Sequence, residues 1–281
     1  MRGAKPSATA QFVALARAHL TELGMLDDDL ARSMLRPPWA LAASALGQRP
    51  FARLGRNRSF AYLAARTQFY DDAVKAALDE GTRQVVVIGA GYDSRAWRFA
   101  RPGVQFFEID QAATQADKRR RAPVGGPRYV STDAGGGGFG ELLRASGFVE
   151  GAPTIFTVEG VTMYLTEAQV DALLCELAQI SGPGSRLAVN FGVGFDADDS
   201  ARSRRRAALG RMLVKLGREP FRFELAPEDA RSFLARTGWT VEDMATGPQL
   251  GARYLDGTRF PVMTLNPRAF AVAALRTGEA A

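Results

Sequence analysis

The apolar residues follow two patterns along the chain, and the change between them predicts its organisation. From Ser7 to Leu23 and from Ser59 to Leu78 the sequence is typical of helices, the first of them amphipathic. Val85 to Ile88 is instead an unbroken β-branched run, which is typical of a strand buried on both faces. Further apolar runs predict four more strands, at residues 104–109, 128–131, 154–158 and 186–191.

A glycine turn follows the first of these strands. Gly89-Ala90-Gly91 allows the backbone to turn sharply and to approach a ligand closely, and a helix is expected from about Ser94. The second strand then ends on Asp110, 21 residues after Gly89. Strand, glycine turn, helix, strand and acidic residue form a nucleotide-binding unit, in which the acid meets ribose hydroxyls.

The turn departs from the dinucleotide pattern GxGxxG, because position 94 is Ser. Asp93, close behind the glycines, would set a negative charge beside a pyrophosphate and suits a cationic ligand better. S-adenosylmethionine has a ribose, an adenine, a sulfonium and an amino-acid tail, but no phosphate. The pattern therefore favours this cofactor, while a nicotinamide or flavin nucleotide and a purely structural turn stay open.

The remaining segments predict further helices and a late strand pair. Acidic residues at 27–29 favour the start of a helix that Pro37-Pro38 would break. Thr166-Glu167 is a typical helix start. Other predictions are a helix after Asp110 through Lys118, a charged helix at 201–216, a helix from Pro227 to Arg236, and paired strands at 238–241 and 262–265.

Composition excludes several classes of protein. The 281 residues, 46% of them hydrophobic, can bury the core of one large domain. No apolar run approaches the ~20 residues of a membrane span, and Met1 to Thr9 does not resemble a signal peptide. Cys175 is the only cysteine, so a disulfide framework and a cysteine-based metal site are excluded and a cytoplasmic location is expected. In its helical context Cys175 is expected to be a buried small hydrophobe.

The net charge of +6 raises the question of nucleic acid. Two basic clusters, at residues 118–121 and 202–206, contain no interleaved aromatic residues that could stack on bases. They are expected to be solvated faces, with neither nucleic acid nor membrane as a partner.

Several motifs together resemble the leucine carboxyl methyltransferase family. The sequence GAGYDSRAWRF at 89–99 is similar to its first motif, and FEID at 107–110 to its second. The other matching segments lie in family order between about residues 60 and 240: Arg66-Thr67, TVEGVTMYL at 157–165, PGS at 183–185 and GREPF at 217–221.

This resemblance implies a class I methyltransferase: an α/β fold with a doubly wound, mostly parallel seven-stranded sheet. It implies one domain over 1–281, with a helical N-terminal cap at 1–65 and an inserted cap at 193–225. Bacterial members methylate small molecules, including polyketide carboxylates, so a small-molecule methyl acceptor is expected. The implied cofactor is S-adenosyl-L-methionine. The implied cofactor-binding residues are Arg66, Gly89, Ala90, Gly91, Asp110, Gln111, Asp133, Ala134, Glu159 and Gly160, and Tyr164 is the candidate at the methyl-transfer site.

The expected roles follow from the chemistry of each group. Arg66 can grip the carboxylate of the methionine tail through two hydrogen bonds, and Glu159 can hold its ammonium group. The resemblance places Asp133 and Ala134 at the adenine, although the glycine run at 135–138 departs from the family pattern. Other interpretations remain: Arg66 could be a surface residue paired with Asp71 or another nearby acid, Asp133 could cap a helix or a turn, and Tyr164 could belong to the core.

The nucleophile is left open between two kinds of oxygen. A carboxylate is ionised at neutral pH and needs no general base, whereas a hydroxyl usually does. His19, the only histidine, lies on the N-terminal helix outside every motif, which favours a carboxylate acceptor. A phenol or enol acceptor, a protein C-terminal carboxylate, and a cofactor-binding protein without transferase activity are the alternatives.

Overall fold

The computed structural model describes residues 5–46, 57–192, 221–258, 260 and 265–276. Over these residues the chain forms seven strands in one sheet. They are β1 (Gln84–Ile88), β2 (Gln105–Asp110), β3 (Arg128–Ser131), β4 (Thr154–Val158), β5 (Arg186–Phe191), β6 (Trp239–Thr246) and β7 (Phe270–Arg276).

Ten α-helices lie in the described part of the chain. They are α1 (Ala8–Glu22), α2 (Leu30–Ser33), α3 (Pro37–Leu46), α4 (Arg58–Asp79), α5 (Arg95–Arg98), α6 (Ala112–Arg119), α7 (Phe139–Ala145), α8 (Glu167–Ile180), α9 (Ala230–Arg236) and α10 (Gly247–Tyr254). Two short 3-10 turns are also present in these residues. Thr162–Tyr164 follows β4, and Pro227–Asp229 precedes α9.

The strand order is β3-β2-β1-β4-β5-β7-β6. Strands β1 to β5 all run parallel to one another. β7 runs antiparallel to both β5 and β6. The chain starts in the centre of the sheet, moves to one edge and then returns to β4, so the direction of winding reverses between β1 and β4. Ligands of open α/β sheets bind at such a reversal, beyond the carboxyl ends of the strands.

Each face of the sheet is covered by helices because the strands are apolar on both faces. On one face Val86 and Phe156 belong to a core that includes Leu173 and Leu177 of α8. On the other face Val85 packs in a cluster with side chains of α4. The predicted doubly wound α/β fold is therefore confirmed.

The N-terminal helix α1 packs directly on the glycine turn. The Ser7 hydroxyl caps the helix by accepting a hydrogen bond from Ala10 N at 3.1 Å. A Cβ atom built on Gly91 would lie 2.9 Å from the Cβ of Ala10, so the two elements are in close contact. The predicted boundary of the N-terminal cap, residue 65, falls within α4, which is continuous from Arg58 to Asp79.

Several sequence predictions fall outside the described residues. Most of the inserted cap predicted at 193–225, with its charged helix at 201–216 and the arginine cluster at 202–206, belongs to the undescribed segment 193–220. The same is true of residues 262–264 in the predicted late strand.

One local prediction was incomplete and another was wrong. The helix that begins after Asp29 ends at Ser33, before Pro37, as predicted. Pro37 and Pro38 also begin α3, since proline lacks only a donor that the first helical turn does not use. The strand paired with β6 is β7, at Phe270–Arg276, and Leu265 lies outside any strand.

Lys118 was predicted to be part of a solvated basic cluster, and this was also wrong. Its side chain is fully buried, and its ammonium group lies 2.6 Å from Glu108 Oε2. Lys118 lies on α6 and Glu108 on β2, so the ion pair joins this helix to the sheet. The neighbouring Arg120 and Arg121 pair with Asp117 on the surface side of α6.

Candidate functional site

The glycine turn lies at the carboxyl end of β1 and is hydrogen-bonded to the end of β2. Gly89 and Gly91 have φ of +63° and +52°, a left-handed conformation that favours glycine. Gly91 N donates to Asp110 Oδ2 at 2.6 Å, and Ala90 N donates to Ile109 O at 3.1 Å. A Cβ on Gly89 would lie 2.4 Å from Val161 Cγ2. The turn therefore requires glycine both for its backbone and for the space beside it.

Asp110 is held by backbone donors on both of its oxygens. Besides Gly91, Gln111 N donates to Asp110 Oδ1 at 2.6 Å. Burial raises the pKa of Asp110, and the two backbone N–H groups offset part of that rise. Each carboxylate oxygen keeps further lone-pair capacity, so the fixed carboxylate can accept hydrogen bonds from vicinal hydroxyls.

Arg66 and Glu159 form a buried ion pair beside the turn. Arg66 Nε lies 3.0 Å from Glu159 Oε1, joining α4 to the residue that follows β4. A Cβ built on Gly160, where φ is +69°, would lie 3.4 Å from Arg66 Nη1. The alternative pairing of Arg66 with Asp71 is not observed, because Asp71 pairs with Arg95 and Arg98. The site thus presents one fixed cation beside one fixed anion.

Arg95 connects Glu159 to two further carboxylates. Its Nη1 lies 2.8 Å from Glu159 Oε2 and 2.6 Å from Asp93 Oδ2, and its Nε lies 2.7 Å from Asp71 Oδ1. Burial acts to raise the pKa of Glu159, but the guanidinium groups of Arg95 and Arg66 outweigh it and hold the pKa below its ordinary value.

The position of Asp93 corrects one step of the sequence analysis. Asp93 is buried, and it accepts hydrogen bonds from both the backbone N and the side chain of Arg95. Its charge is therefore neutralised within the protein and is not presented to a ligand. The expectation that Asp93 selects a cationic ligand was wrong in its physical reason.

Asp133 and Ala134 follow β3, next to Asp110 in the sheet. Thr132 N donates to Asp110 O at 3.1 Å, which places the two strand ends side by side. Asp133 is exposed, and its Oδ1 accepts from Gly135 N at 3.0 Å, so the alternative role as a turn cap is satisfied as well. The adenine role of Asp133 and Ala134 stays a prediction.

The glycine run after Ala134 leads into a helix that was not predicted. Gly138 N and Gly140 N donate to the two carboxylate oxygens of Glu176 on α8, at 2.9 and 3.0 Å. Glu176 therefore binds backbone donors at the start of α7, where the positive end of a helix favours an anion.

Tyr164 ends the 3-10 turn that follows Glu159 and Gly160. Its ring is half-buried and lies 5.6 Å, centroid to centroid, from the ring of Phe221. Arg222 N donates to Met163 O at 2.7 Å, so the residues around Phe221 are hydrogen-bonded to this 3-10 turn. The aromatic pair provides an apolar surface near the carboxyl end of β4.

Asn190 fixes the segment that carries Glu159, and sequence reasoning missed it. Asn190 Oδ1 accepts from Gly160 N at 2.7 Å and from the Tyr70 hydroxyl at 3.1 Å, while Asn190 O accepts from the Thr162 hydroxyl at 2.7 Å. These contacts set the path of the backbone immediately after Glu159. An asparagine inside the apolar run at 186–191 was the one available signal, since a polar residue at a strand end often meets a site.

His19 is buried on α1, with its ring edge-on to Phe60 at a centroid distance of 5.8 Å. The same helix carries Arg17, which pairs with Asp28 at 3.0 Å and donates to Tyr92 O in the glycine turn. Sequence analysis missed Arg17, which attaches α1 to the turn. His19 packs against α4 instead.

Three observations concern metal binding, the cysteine and membrane spans. Among the described residues, no group of three or more His, Cys, Asp and Glu side chains is arranged to hold a metal ion. Cys175 is half-buried, and burial raises the pKa of its thiol. None of the helices in the described ranges is long and apolar enough to cross a membrane.

Comparisons of structure show the same architecture in other proteins. A duf574 family protein from Streptomyces avermitilis aligns with a TM-score of 0.58 and 16% identity, covering 94% of this chain and 97% of that chain. A protein from Thermobifida fusca YX, named as a methyltransferase, aligns with a TM-score of 0.55 and 16% identity, covering 98% and 96%. At this level of identity the similarity concerns the fold.

Comparisons of sequence identify the family. The family model for leucine carboxyl methyltransferase matches residues 9–178. A relative from Mycolicibacterium paratuberculosis, assigned by name to the S-adenosyl-L-methionine-dependent methyltransferases, is 32% identical over 96% of this chain and 93% of its own length. A relative of the same name from Parafrankia is 41% identical over 142 residues, 48% of this chain and 46% of that protein. The chain therefore belongs to the leucine carboxyl methyltransferase family and is an S-adenosyl-L-methionine-dependent methyltransferase.

Proposed function

We propose that the enzyme methylates a carboxylate of a small molecule and so forms a methyl ester. The observation that carries this proposal is that the two carboxylates around the glycine turn and the end of β4, Asp93 and Glu159, are both paired with arginine. Glu159 and Asp93 are paired with arginines that lower the pKa of each carboxyl group against the effect of burial, which makes them poor proton acceptors. A carboxylate acceptor needs no base, because it is already ionised at neutral pH.

The other titratable groups near the site support the same proposal. Burial raises the pKa of Tyr62 and of Tyr70, so both hydroxyls stay protonated. Burial also raises the pKa of Glu108 to about 7, but this carboxylate is enclosed and bound to Lys118. His19, on α1, is buried against Phe60 of α4. None of these groups provides the accessible base that a hydroxyl acceptor usually requires.

The arrangement of side chains fits S-adenosyl-L-methionine in two respects. Gly89, Gly91 and Gly160 have left-handed backbone conformations at the carboxyl ends of β1 and β4, where ligands of open α/β sheets bind. The neighbouring charges of Arg66 and Glu159 match the carboxylate and the ammonium group of an amino-acid tail. When bound, this cofactor would supply a methyl group on its sulfonium: an oxygen nucleophile would bond to the methyl carbon in line, the carbon–sulfur bond would break, and S-adenosylhomocysteine would leave.

We assign the remaining roles on this basis. Asp110 would accept hydrogen bonds from the ribose hydroxyls, and Asp133 with Ala134 would face the adenine. Gly89, Ala90, Gly91, Gln111 and Gly160 would line the cofactor through their backbones. Tyr164 would line the acceptor side and help to exclude water, which is how such sites hold a nucleophile in the geometry of displacement.

The test is a labelled-methyl assay with a panel of small carboxylic acids and phenols. We expect methyl transfer to an acid and a product that releases its label under mild alkaline hydrolysis, because an ester is cleaved and an ether is not. His19→Ala should leave turnover nearly unchanged. A base-stable product, together with a loss of turnover of about 10²–10⁴-fold in His19→Ala, would favour a phenol or enol acceptor instead.

In calorimetry the enzyme should bind S-adenosylhomocysteine and should not bind NAD.

Asp110→Ala is expected to weaken S-adenosylhomocysteine binding by tenfold or more. The change removes an acceptor held by Gly91 N and Gln111 N, and such charge-assisted contacts are worth roughly 1.5–3 kcal/mol. Calorimetric titration measures the effect, with circular dichroism as a check on folding. Asp110→Asn, which keeps one acceptor oxygen and the shape, should bind more tightly than the alanine variant. Equal affinity of Asp110→Ala and the unmodified enzyme would remove Asp110 from the site.

A further inference from the structure

Arg95 contacts Glu159 on the side away from Arg66, at the junction of several elements. It is the first residue of the one-turn helix α5, and its own backbone N donates to Asp93 Oδ1 at 2.7 Å. Its side chain reaches Asp71 on α4 and Glu159 after β4. The guanidinium also lies 5.6 Å from the centroid of the Tyr70 ring. One side chain therefore ties the glycine turn, α4 and β4 together.

The charges of this cluster balance as they stand. Three carboxylates, Asp71, Asp93 and Glu159, face three guanidinium groups, which belong to Arg66, Arg95 and Arg98. Arg95 is the member that contacts all three carboxylates, and its side chain is 1% exposed. Burying charges without partners is costly, so each carboxylate here depends on its arginines.

Binding of an amino-acid tail changes the partners of Glu159. Arg66 and Glu159 now bind each other, at 3.0 Å. A ligand carboxylate that takes the Nε donor of Arg66, and a ligand ammonium group that takes Glu159 Oε1, would compete with that contact. Glu159 Oε2 faces Arg95 at 2.8 Å, on the other side of the carboxylate. This second contact can persist while the first is exchanged.

We propose that Arg95 is a positioning residue for cofactor binding: it holds Glu159 in place while Arg66 releases it for the amino-acid tail. The inference rests on the proposed role of Glu159 toward the ammonium group. Arg95 itself does not touch the ligand. Its substitution should therefore affect ligands that carry the amino-acid tail and spare ligands that lack it.

The experiment compares S-adenosylhomocysteine with 5′-methylthioadenosine, which has the same nucleoside but no amino-acid tail. For Arg95→Gln we expect the Kd of S-adenosylhomocysteine to rise tenfold or more and that of methylthioadenosine to change less than threefold. Arg95→Lys keeps the charge but not the planar set of donors, and should give an intermediate loss. Arg101→Gln is the matched control, because Arg101 forms an exposed ion pair with Asp79, at 2.8 Å, outside this cluster. It should stay within about threefold for both ligands.

Equal losses for both ligands would overturn the proposal, since a general loosening of the fold does not distinguish them. Unchanged binding of both ligands in folded Arg95→Gln would also overturn it. If Arg95→Gln fails to fold, Arg95→Lys is assessed by the same ratio of dissociation constants. Failure of the unmodified enzyme to bind S-adenosylhomocysteine would instead contradict the proposed function itself.

A double-mutant cycle provides a second readout. If Arg95 acts through Glu159, Arg95→Gln should weaken S-adenosylhomocysteine binding much less in a Glu159→Gln background than in the unmodified enzyme. Independent, additive losses in this cycle would show that Arg95 does not act through Glu159.

Discussion

Glu159→Gln is expected to weaken S-adenosylhomocysteine binding by about 30- to 150-fold. The change removes the negative charge that would meet the ammonium group of the ligand, a contact worth roughly 2–3 kcal/mol. It also leaves Arg66 and Arg95 without an ionised partner at this position, and both side chains are buried. The amide can still accept one hydrogen bond, but its NH₂ group faces a guanidinium. Calorimetric titration at pH 7 measures the loss.

A surface acid provides the control for this variant. Glu150→Gln breaks an exposed ion pair with Arg144, and such pairs contribute little, so its affinity should equal that of the unmodified enzyme. Thermal unfolding establishes that Glu159→Gln is folded at the temperature of titration. A folded Glu159→Gln variant with unchanged affinity would show that the ammonium group binds elsewhere.

The sheet could be predicted from the sequence because its central strands are defined locally. The run Val85 to Ile88 is β-branched and apolar throughout, and it ends at a turn that only glycine accommodates. The capping box at Thr166 likewise places the start of α8 correctly. These signals act within a few residues, and no distant contact is needed to interpret them.

The late strand could not be predicted in the same way. The segment Phe270–Arg276 is rich in alanine, which is not typical of a strand. It becomes β7 because β5 and β6 each offer an edge, and its antiparallel pairing with both fills the gap between them. Tertiary pairing outweighs local propensity here.

The sequence named candidate residues for the site, but it did not give the contacts between them. Arg66 and Glu159 were each assigned to one end of an amino-acid tail, yet their mutual ion pair spans 93 positions of sequence. Arg95 and Lys118 were harder still, because an arginine or lysine in a sequence suggests solvent. Both are buried because carboxylates from other elements lie beside them, Glu159 beside Arg95 and Glu108 beside Lys118. A pattern along the chain does not contain that information.

Trp239→Ala is expected to destabilise the fold by roughly 3–5 kcal/mol, the range for removing a large buried aromatic residue. Trp239 begins β6 and is fully buried. Its indole N–H donates to Leu174 O at 3.0 Å, and its ring lies edge-on to Phe156 at 6.1 Å. The alanine substitution would leave a cavity between the sheet and α8. Urea denaturation measures the free energy of unfolding, and the midpoint temperature should fall by roughly 6–20 °C.

The position of Trp239 makes this stability effect separable from cofactor binding. β6 runs parallel to β1 and begins at Trp239, so Trp239 lies at the amino ends of the strands, whereas the glycine turn follows the carboxyl end of β1. Below its lowered midpoint, Trp239→Ala should therefore bind S-adenosylhomocysteine with nearly unchanged affinity. Val149→Ala, at an exposed apolar position, should change stability by less than about 0.5 kcal/mol. A loss of affinity in folded Trp239→Ala would mean that the packing between α8 and the sheet also sets the geometry of the cofactor site.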